Sequence, residues 1–278
     1  MIYLLLAILS SAMIAILMRI SSHRISANLS MLAVNYLMCV FLGAVYTGFD
    51  SMVSKQSGFL VTLLLGLLSG VLYLGGFVLL QYNTRKNGIV LSSVFMKLGL
   101  LVPVALSMLL FKEIPTGIQI IGFGVAVFAI VLINLKKDHA GKGLGPGLIL
   151  MLLMCGGSDF MAKVFERLGP AALSDAYLLC TFAVAFLLCV ALVVYRKEKP
   201  GVWEILFGAL IGIPNFFSAK FLLGALAELP AVVVYPSFSV ATLLVVTLAG
   251  VIAFKERLSK IQWTALAAIV AALVCLNV

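Results

Sequence analysis

Residues 89–113 read IVLSSVFMKLGLLVPVALSMLLFKE, and residues 232–256 read VVVYPSFSVATLLVVTLAGVIAFKE. Both stretches hold 25 residues, both are almost wholly apolar, and both end on Phe-Lys-Glu. Ile-Gln follows each at the same distance, as Ile118-Gln119 and as Ile261-Gln262. Upstream, Gly66-x-x-x-Gly70 answers Gly208-x-x-x-Gly212 at nearly the same offset. A register shared over so much chain is the mark of an internal duplication. The chain therefore reads as two related halves, 1–137 and 145–278.

The solvent in which those halves fold follows from composition. Of the 278 residues, 64% are apolar and only 10% charged. Soluble domains run nearer half apolar and about a quarter charged. No soluble fold of this length hides so much apolar surface, so hydrocarbon is the expected solvent. A span needs about 20 residues to cross about 30 Å. Apolar runs broken by charge or turn residues give ten spans, at about 1–18, 29–48, 58–80, 88–111, 116–135, 146–167, 172–195, 202–226, 229–253 and 260–278. No two-residue alternation persists, which argues against a membrane β-barrel. Five spans per half is an odd number, so the second half crosses in the opposite sense. The expected fold class is an all-α membrane protein of ten transmembrane helices, arranged as two five-helix inverted repeats, a transporter architecture with its site near midplane.

Loop charge gives orientation. The loops after spans 1, 3, 5, 7 and 9 hold thirteen Lys and Arg residues, among them Arg19, Arg85, Lys136, Arg196 and Arg257. The other loops hold Lys55, Lys112 and Arg167. The positive-inside rule then places both termini outside a plasma (inner) membrane that the chain crosses many times. The same rule accounts for the net charge of +9; no polybasic run or aromatic-basic patch points to nucleic acid. The N-terminus lacks a basic segment before its apolar run and reads as a first span, not a cleaved signal. Cys39, Cys155, Cys180, Cys189 and Cys275 lie inside apolar segments without close pairs, and His23 and His139 fall in loops. They read as packing residues and loop residues, with no metal site and no cofactor.

The five-plus-five plan, the glutamates closing spans 4 and 9, Pro236-Ser-Phe in span 9, and Gly156-Gly157 followed by Lys163 in span 6 resemble the EamA-like family of the drug/metabolite transporter superfamily. The resemblance covers essentially the whole chain, and its motifs bear on fold far more than on substrate. It implies a basket of spans 1, 3, 4, 6, 8 and 9 around a central cavity, with spans 5 and 10 at the periphery. It also implies a small-molecule substrate, since family members move amino acids, sugars, nucleotides, cations or drugs. Two features depart from the pattern. Ser93 stands where the second half has Pro236, and many relatives keep both termini inside.

Charges at membrane depth are costly and mark function. Lys97 lies nine residues into span 4, about 14 Å deep at 1.5 Å per residue, and its repeat counterpart is Val240. It is expected to bind an anionic substrate group or to titrate during transport; the alternative is a lysine that holds helix ends or pairs with an acid. Asp159 is the one acid deep within a span. Lys163 follows it at i+4 with Glu166 beyond, so Asp159 and Lys163 form a candidate coupling site or a plain ion pair. In span 8, Pro214 removes an amide donor and releases the Leu210 carbonyl, and Asn215 follows at mid-depth. That pattern fits either a cavity-lining interruption or a simple kink. Asn35, Tyr73, Ser92, Tyr235 and Phe238 complete the candidate substrate site, as polar groups and aromatic walls at similar depth. Tyr36 shares that depth. Lys220 reads as an interfacial anchor near Glu228, the glycine pairs as close helix contacts, and Glu113 and Glu256 as structural charges at helix ends.

A secondary carrier working by alternating access, with Asp159 placed to carry a coupled proton, is the expected function. Its substrate would be a small polar or zwitterionic metabolite such as an amino acid. The alternatives are a channel or a structural membrane subunit. A membrane enzyme would need paired acids or an intramembrane histidine, and neither occurs.

Overall fold

A computed structural model describes residues 1–22, 24–52, 58–87, 89–134, 145–255 and 260–277. Glu256, His23, His139 and several of the loop lysines and arginines, among them Lys55, Lys136 and Arg257, lie outside the described residues. Eleven α-helices follow in chain order: α1 Ile2–Ser21, α2 Asn28–Met52, α3 Phe59–Asn87, α4 Ile89–Leu98, α5 Leu101–Phe111, α6 Gly117–Asn134, α7 Pro146–Leu168, α8 Ser174–Arg196, α9 Val202–Glu228, α10 Ala231–Phe254 and α11 Lys260–Asn277. Among the described residues there is no strand.

Eight spans are long and apolar enough to cross a membrane, counting α4 and α5 together as Ser92–Phe111. The chain is a multi-pass membrane protein. The two other expected spans coincide with the apolar helices α6 and α11.

Span 4 differs from its reading as one helix. It breaks into α4 and α5 at Gly99-Leu100. Pro103 has no amide hydrogen to give the Gly99 carbonyl, so the bond that would continue the helix is lost. The chain tightens instead. Gly99 N–H donates to the Met96 carbonyl (3.2 Å), Leu100 N–H to Lys97 (3.4 Å) and Val102 N–H to Gly99 (3.0 Å). Span 8, by contrast, runs unbroken as α9 through Pro214. Of the two readings open at Pro214, the cavity-lining interruption is not present there, and the break in a span lies at Gly99–Pro103, where a glycine and a proline four residues apart weaken the same turn.

Two compact units result, each taking helices from both halves of the sequence: residues 1–74 with 161–227, and residues 75–160 with 228–278. In the first unit α2 packs along α8, and glycine pairs set how closely α3 approaches α8 and α9 approaches α2. A Cβ on Gly66 or Gly70 would press on the carbonyls of Tyr177 or Thr181 in α8. One on Gly208 or Gly212 would press on those of Met31 or Asn35 in α2. Backbones this close lie in van der Waals contact that no larger residue permits. Gly48 ends the regular part of α2 at φ 69°, a left-handed conformation natural only to glycine.

In the second unit α6 packs on α11, and both helices hold 18 residues. α5 and α10 close on the left-handed residues Lys112 (φ 54°, ψ 34°) and Lys255 (φ 53°, ψ 35°). Their N–H groups return to the carbonyls of Ser107 and Gly250 in the same way. Glu113, next after the first of these caps, accepts the Ala231 N–H at 2.7 Å and so caps α10. The expectation that Glu113 is a structural helix-end charge gains a specific partner here.

Candidate functional site

The candidate residues fall into two groups, one in each compact unit. In the first unit, three of them join. Tyr73 in α3 donates its hydroxyl to Asn215 Oδ1 (3.0 Å), and Asn215 Nδ2 in α9 donates to Asn35 Oδ1 in α2 (3.2 Å). Asn35 and Asn215 are buried, and buried amides stay only where such bonds satisfy them. Aromatic rings enclose the chain of bonds. Tyr36 lies edge-on to Tyr73 (5.9 Å between centroids), and Phe182 touches both Tyr73 (5.8 Å) and Phe216 (6.3 Å). The close approach of Gly212 to α2 carries Asn215, one turn further along α9, to the level of Asn35.

Two members of this cluster were not anticipated. Cys39 Sγ faces the Gly212 carbonyl (3.4 Å) and lies 3.9 Å from Asn35 Oδ1. Its i+4 spacing from Asn35 carried that signal, although an apolar context reads as packing. Phe182 gave no sequence signal of its own. Lys163, also in this unit, is 1% exposed and bonds Glu166 Oε2 at 2.7 Å.

The second unit holds the charges. Lys97 occupies the last turn of α4, where the carbonyl end of a helix favours a cation. Asp159 lies on α7, one turn past Gly156. Gly156 meets the break itself: a Cβ there would collide with the Gly99 carbonyl and with Val102. On the other side of α7, Gly76 abuts the Cys155 sulfur. This clamp of small residues brings α7 against the α4–α5 break, and the charges of Lys97 and Asp159 act on one another. Both side chains are half-buried. Tyr235 in α10 is buried and donates its hydroxyl to the Asp159 main-chain carbonyl, which fixes the turn that carries the carboxylate. Ser92 is fully buried in α4, and Phe238 is half-buried in α10.

The two groups differ in what they can do chemically. An amide–phenol chain is dipolar at every pH and selects by hydrogen-bond geometry. A lysine and an aspartate can each take an opposite charge from a ligand, and the carboxylate can also carry a proton. Among the described residues, no cluster of His, Cys, Asp and Glu is suited to a metal ion.

Lys220, read from the sequence as an interfacial anchor, finds its partners in α8 and α2. Its ammonium meets Asp175 Oδ1 in α8 at 2.6 Å and lies 3.9 Å from the ring centroid of Tyr46 in α2. The first turn of α2 is held by acids from the second half of the chain. Glu204 Oε1 accepts the N–H groups of Ser26 (3.0 Å) and Ala27 (3.3 Å), and Glu198 Oε2 accepts that of Ser30 (3.3 Å).

Residues 1–135 match the EamA-like transporter family. An uncharacterised protein of Haemophilus influenzae (strain ATCC 51907 / DSM 11121 / KW20 / Rd) is 24% identical over 98% of this chain and 96% of its own. A protein crystal structure superposes with a TM-score of 0.71 at 16% identity, covering 99% of this chain and 98% of that one. The last likeness is one of fold.

Proposed function

We infer that this chain, a membrane transporter of the EamA-like family within the drug/metabolite transporter superfamily, is a secondary carrier of a small polar or zwitterionic metabolite that works by alternating access. The observation that carries this reading is the Lys97–Asp159 pair: two opposite charges inside apolar spans, half-buried, beside a broken helix. Such charges persist at membrane depth where a wet, protein-walled space shelters them. Lys97 would receive an anionic group, and Asp159 a cationic group or a proton, so coupling to protons is part of the proposal. Ser92, Tyr235 and Phe238 would shape the substrate site in the same unit, and Asn35, Tyr73 and Asn215 would brace the other unit.

Two five-helix inverted repeats, 1–137 and 145–278, suit such a carrier. The mirrored glycine contacts, α3 against α8 and α9 against α2, support that duplication. α6 and α11 would be the fifth and tenth crossings, in a plasma membrane with both termini outside.

Proteoliposomes test the reading. Saturable uptake that is accelerated by unlabelled substrate on the opposite side is the expected result. A current linear in voltage without counterflow would instead mark a channel.

A further inference from the structure

Lys220, Asp175 and Tyr46 sit together at one end of the first compact unit, where the last turns of α2, the first turn of α8 and the last third of α9 meet. The Lys220 ammonium bonds Asp175 Oδ1 at 2.6 Å and lies 3.9 Å from the Tyr46 centroid. Phe216 stacks against Tyr46 (5.7 Å), and Phe217 meets it edge-on (5.9 Å). The two charged side chains are 28% and 26% exposed.

That arrangement leaves binding capacity open. An ammonium has three donors, and here one meets a carboxylate while the aromatic face takes another side. The contact engages Oδ1 of Asp175, whereas a carboxylate offers two oxygens. Lipid does not tolerate an open ion pair, so the exposed side of this one faces water or headgroups. A half-exposed pair is also weak, because water competes for both partners. A ligand that brings its own ammonium and its own anion can replace each partner with a like contact. The ligand's anion goes to Lys220, and its ammonium goes to Asp175 and the Tyr46 ring.

We propose that Lys220, Asp175 and Tyr46 form a subsite for ligands that carry an ammonium and an anionic group a few bonds apart, with the half-buried Phe217 packing the ligand's apolar part. The proposal rests on the carrier reading for the existence of a small polar ligand, and it adds a second station, in the first unit. Free amino acids and ethanolamine lipid headgroups share the required chemistry.

Saturation-transfer NMR on the full chain in phosphatidylglycerol nanodiscs tests it with three probes: L-leucine, N-acetyl-L-leucine and L-leucinamide. Wild type is expected to transfer to leucine at least about tenfold more strongly than to either singly charged probe. Lys220→Met is expected to invert the order in favour of leucinamide, and Asp175→Asn in favour of N-acetylleucine. A role confined to holding helices would leave the order unmoved. Lys220→Arg keeps the charge and should keep the leucine preference.

No transfer to leucine from wild type, an unchanged order in both neutral variants, or loss of the preference in Lys220→Arg would each overturn the proposal. Repetition in phosphatidylethanolamine nanodiscs identifies the source. A suppressed leucine signal assigns the subsite to headgroups, and an undiminished one assigns it to a free metabolite. Failure of leucine to cross proteoliposomes bears on the carrier reading alone.

Discussion

In the unit built on α2, α8 and α9, Tyr73, Asn215 and Asn35 hold one another in a chain of hydrogen bonds among stacked rings. In the unit built on α4, α7 and α10, the ionisable Lys97 and Asp159 act on one another beside a helix that stops at Leu98. Both sites owe their close approach to glycine, Gly212 in one and Gly156 in the other. They differ in how well their polar groups are satisfied. The amides are buried and bonded within the protein, which makes a rigid element. The ions are half-buried and keep surface for an incoming group.

The largest effect is expected at the charges. Lys97→Ala and Asp159→Asn should each reduce substrate-driven flux in proteoliposomes by at least about a hundredfold, the loss of an interaction of about 3 kcal/mol. Removing one partner leaves the other charge uncompensated, so each single variant should also melt earlier. The double variant Lys97→Met with Asp159→Asn should recover its melting temperature without recovering flux. Recovery of both would reduce the pair to a structural tie and erase the contrast.

The clamp comes next. Gly156→Leu forces bulk into the Gly99 carbonyl, and destabilisation of about 1–3 kcal/mol or more follows from overpacking. Folded yield after detergent extraction is the measurement. Gly124→Leu is the control, since a Cβ there meets nothing within 4 Å.

The neutral cluster should behave as a support. Asn215→Ala removes both the bond from the Tyr73 hydroxyl and the bond to the Asn35 oxygen, at a cost of about 1–3 kcal/mol. Thermal melting should register that loss more than flux does. Equal loss of flux in Asn215→Ala and Lys97→Ala would mean that the two regions are not distinct in role.

The smallest effect is expected at Glu204→Gln, which weakens the carboxylate's bonds to the first turn of α2. About 1 kcal/mol of stability should be lost, with KM unchanged.

The helices were legible because hydrocarbon demands long apolar runs, and charge or turn residues mark their ends. Spans read at 229–253 and 146–167 appear as Ala231–Phe254 and Pro146–Leu168. The break in span 4 was written in Gly99 and Pro103 but was masked by unbroken apolarity from Leu98 to Leu106. Depth alone singled out Asn35, Tyr73 and Asn215, because a polar residue at mid-span stands out against its neighbours. That they bond to one another was not legible, since three helices distant in sequence must first pack. Lys220 shows the same limit. Its nearest acid in sequence, Glu228, suggested the partner, whereas packing of α8 on α2 supplied Asp175 and Tyr46.

Thermal melting of purified wild type, Lys97→Met and Asp159→Asn against one panel of anionic, cationic, zwitterionic and neutral metabolites tests the central claim most directly. A ligand held by the native state raises the melting temperature in proportion to the logarithm of its saturation. The account predicts that at least one charged or zwitterionic metabolite stabilises wild type and that both variants lose that response. The same stabilisation in all three proteins would contradict it.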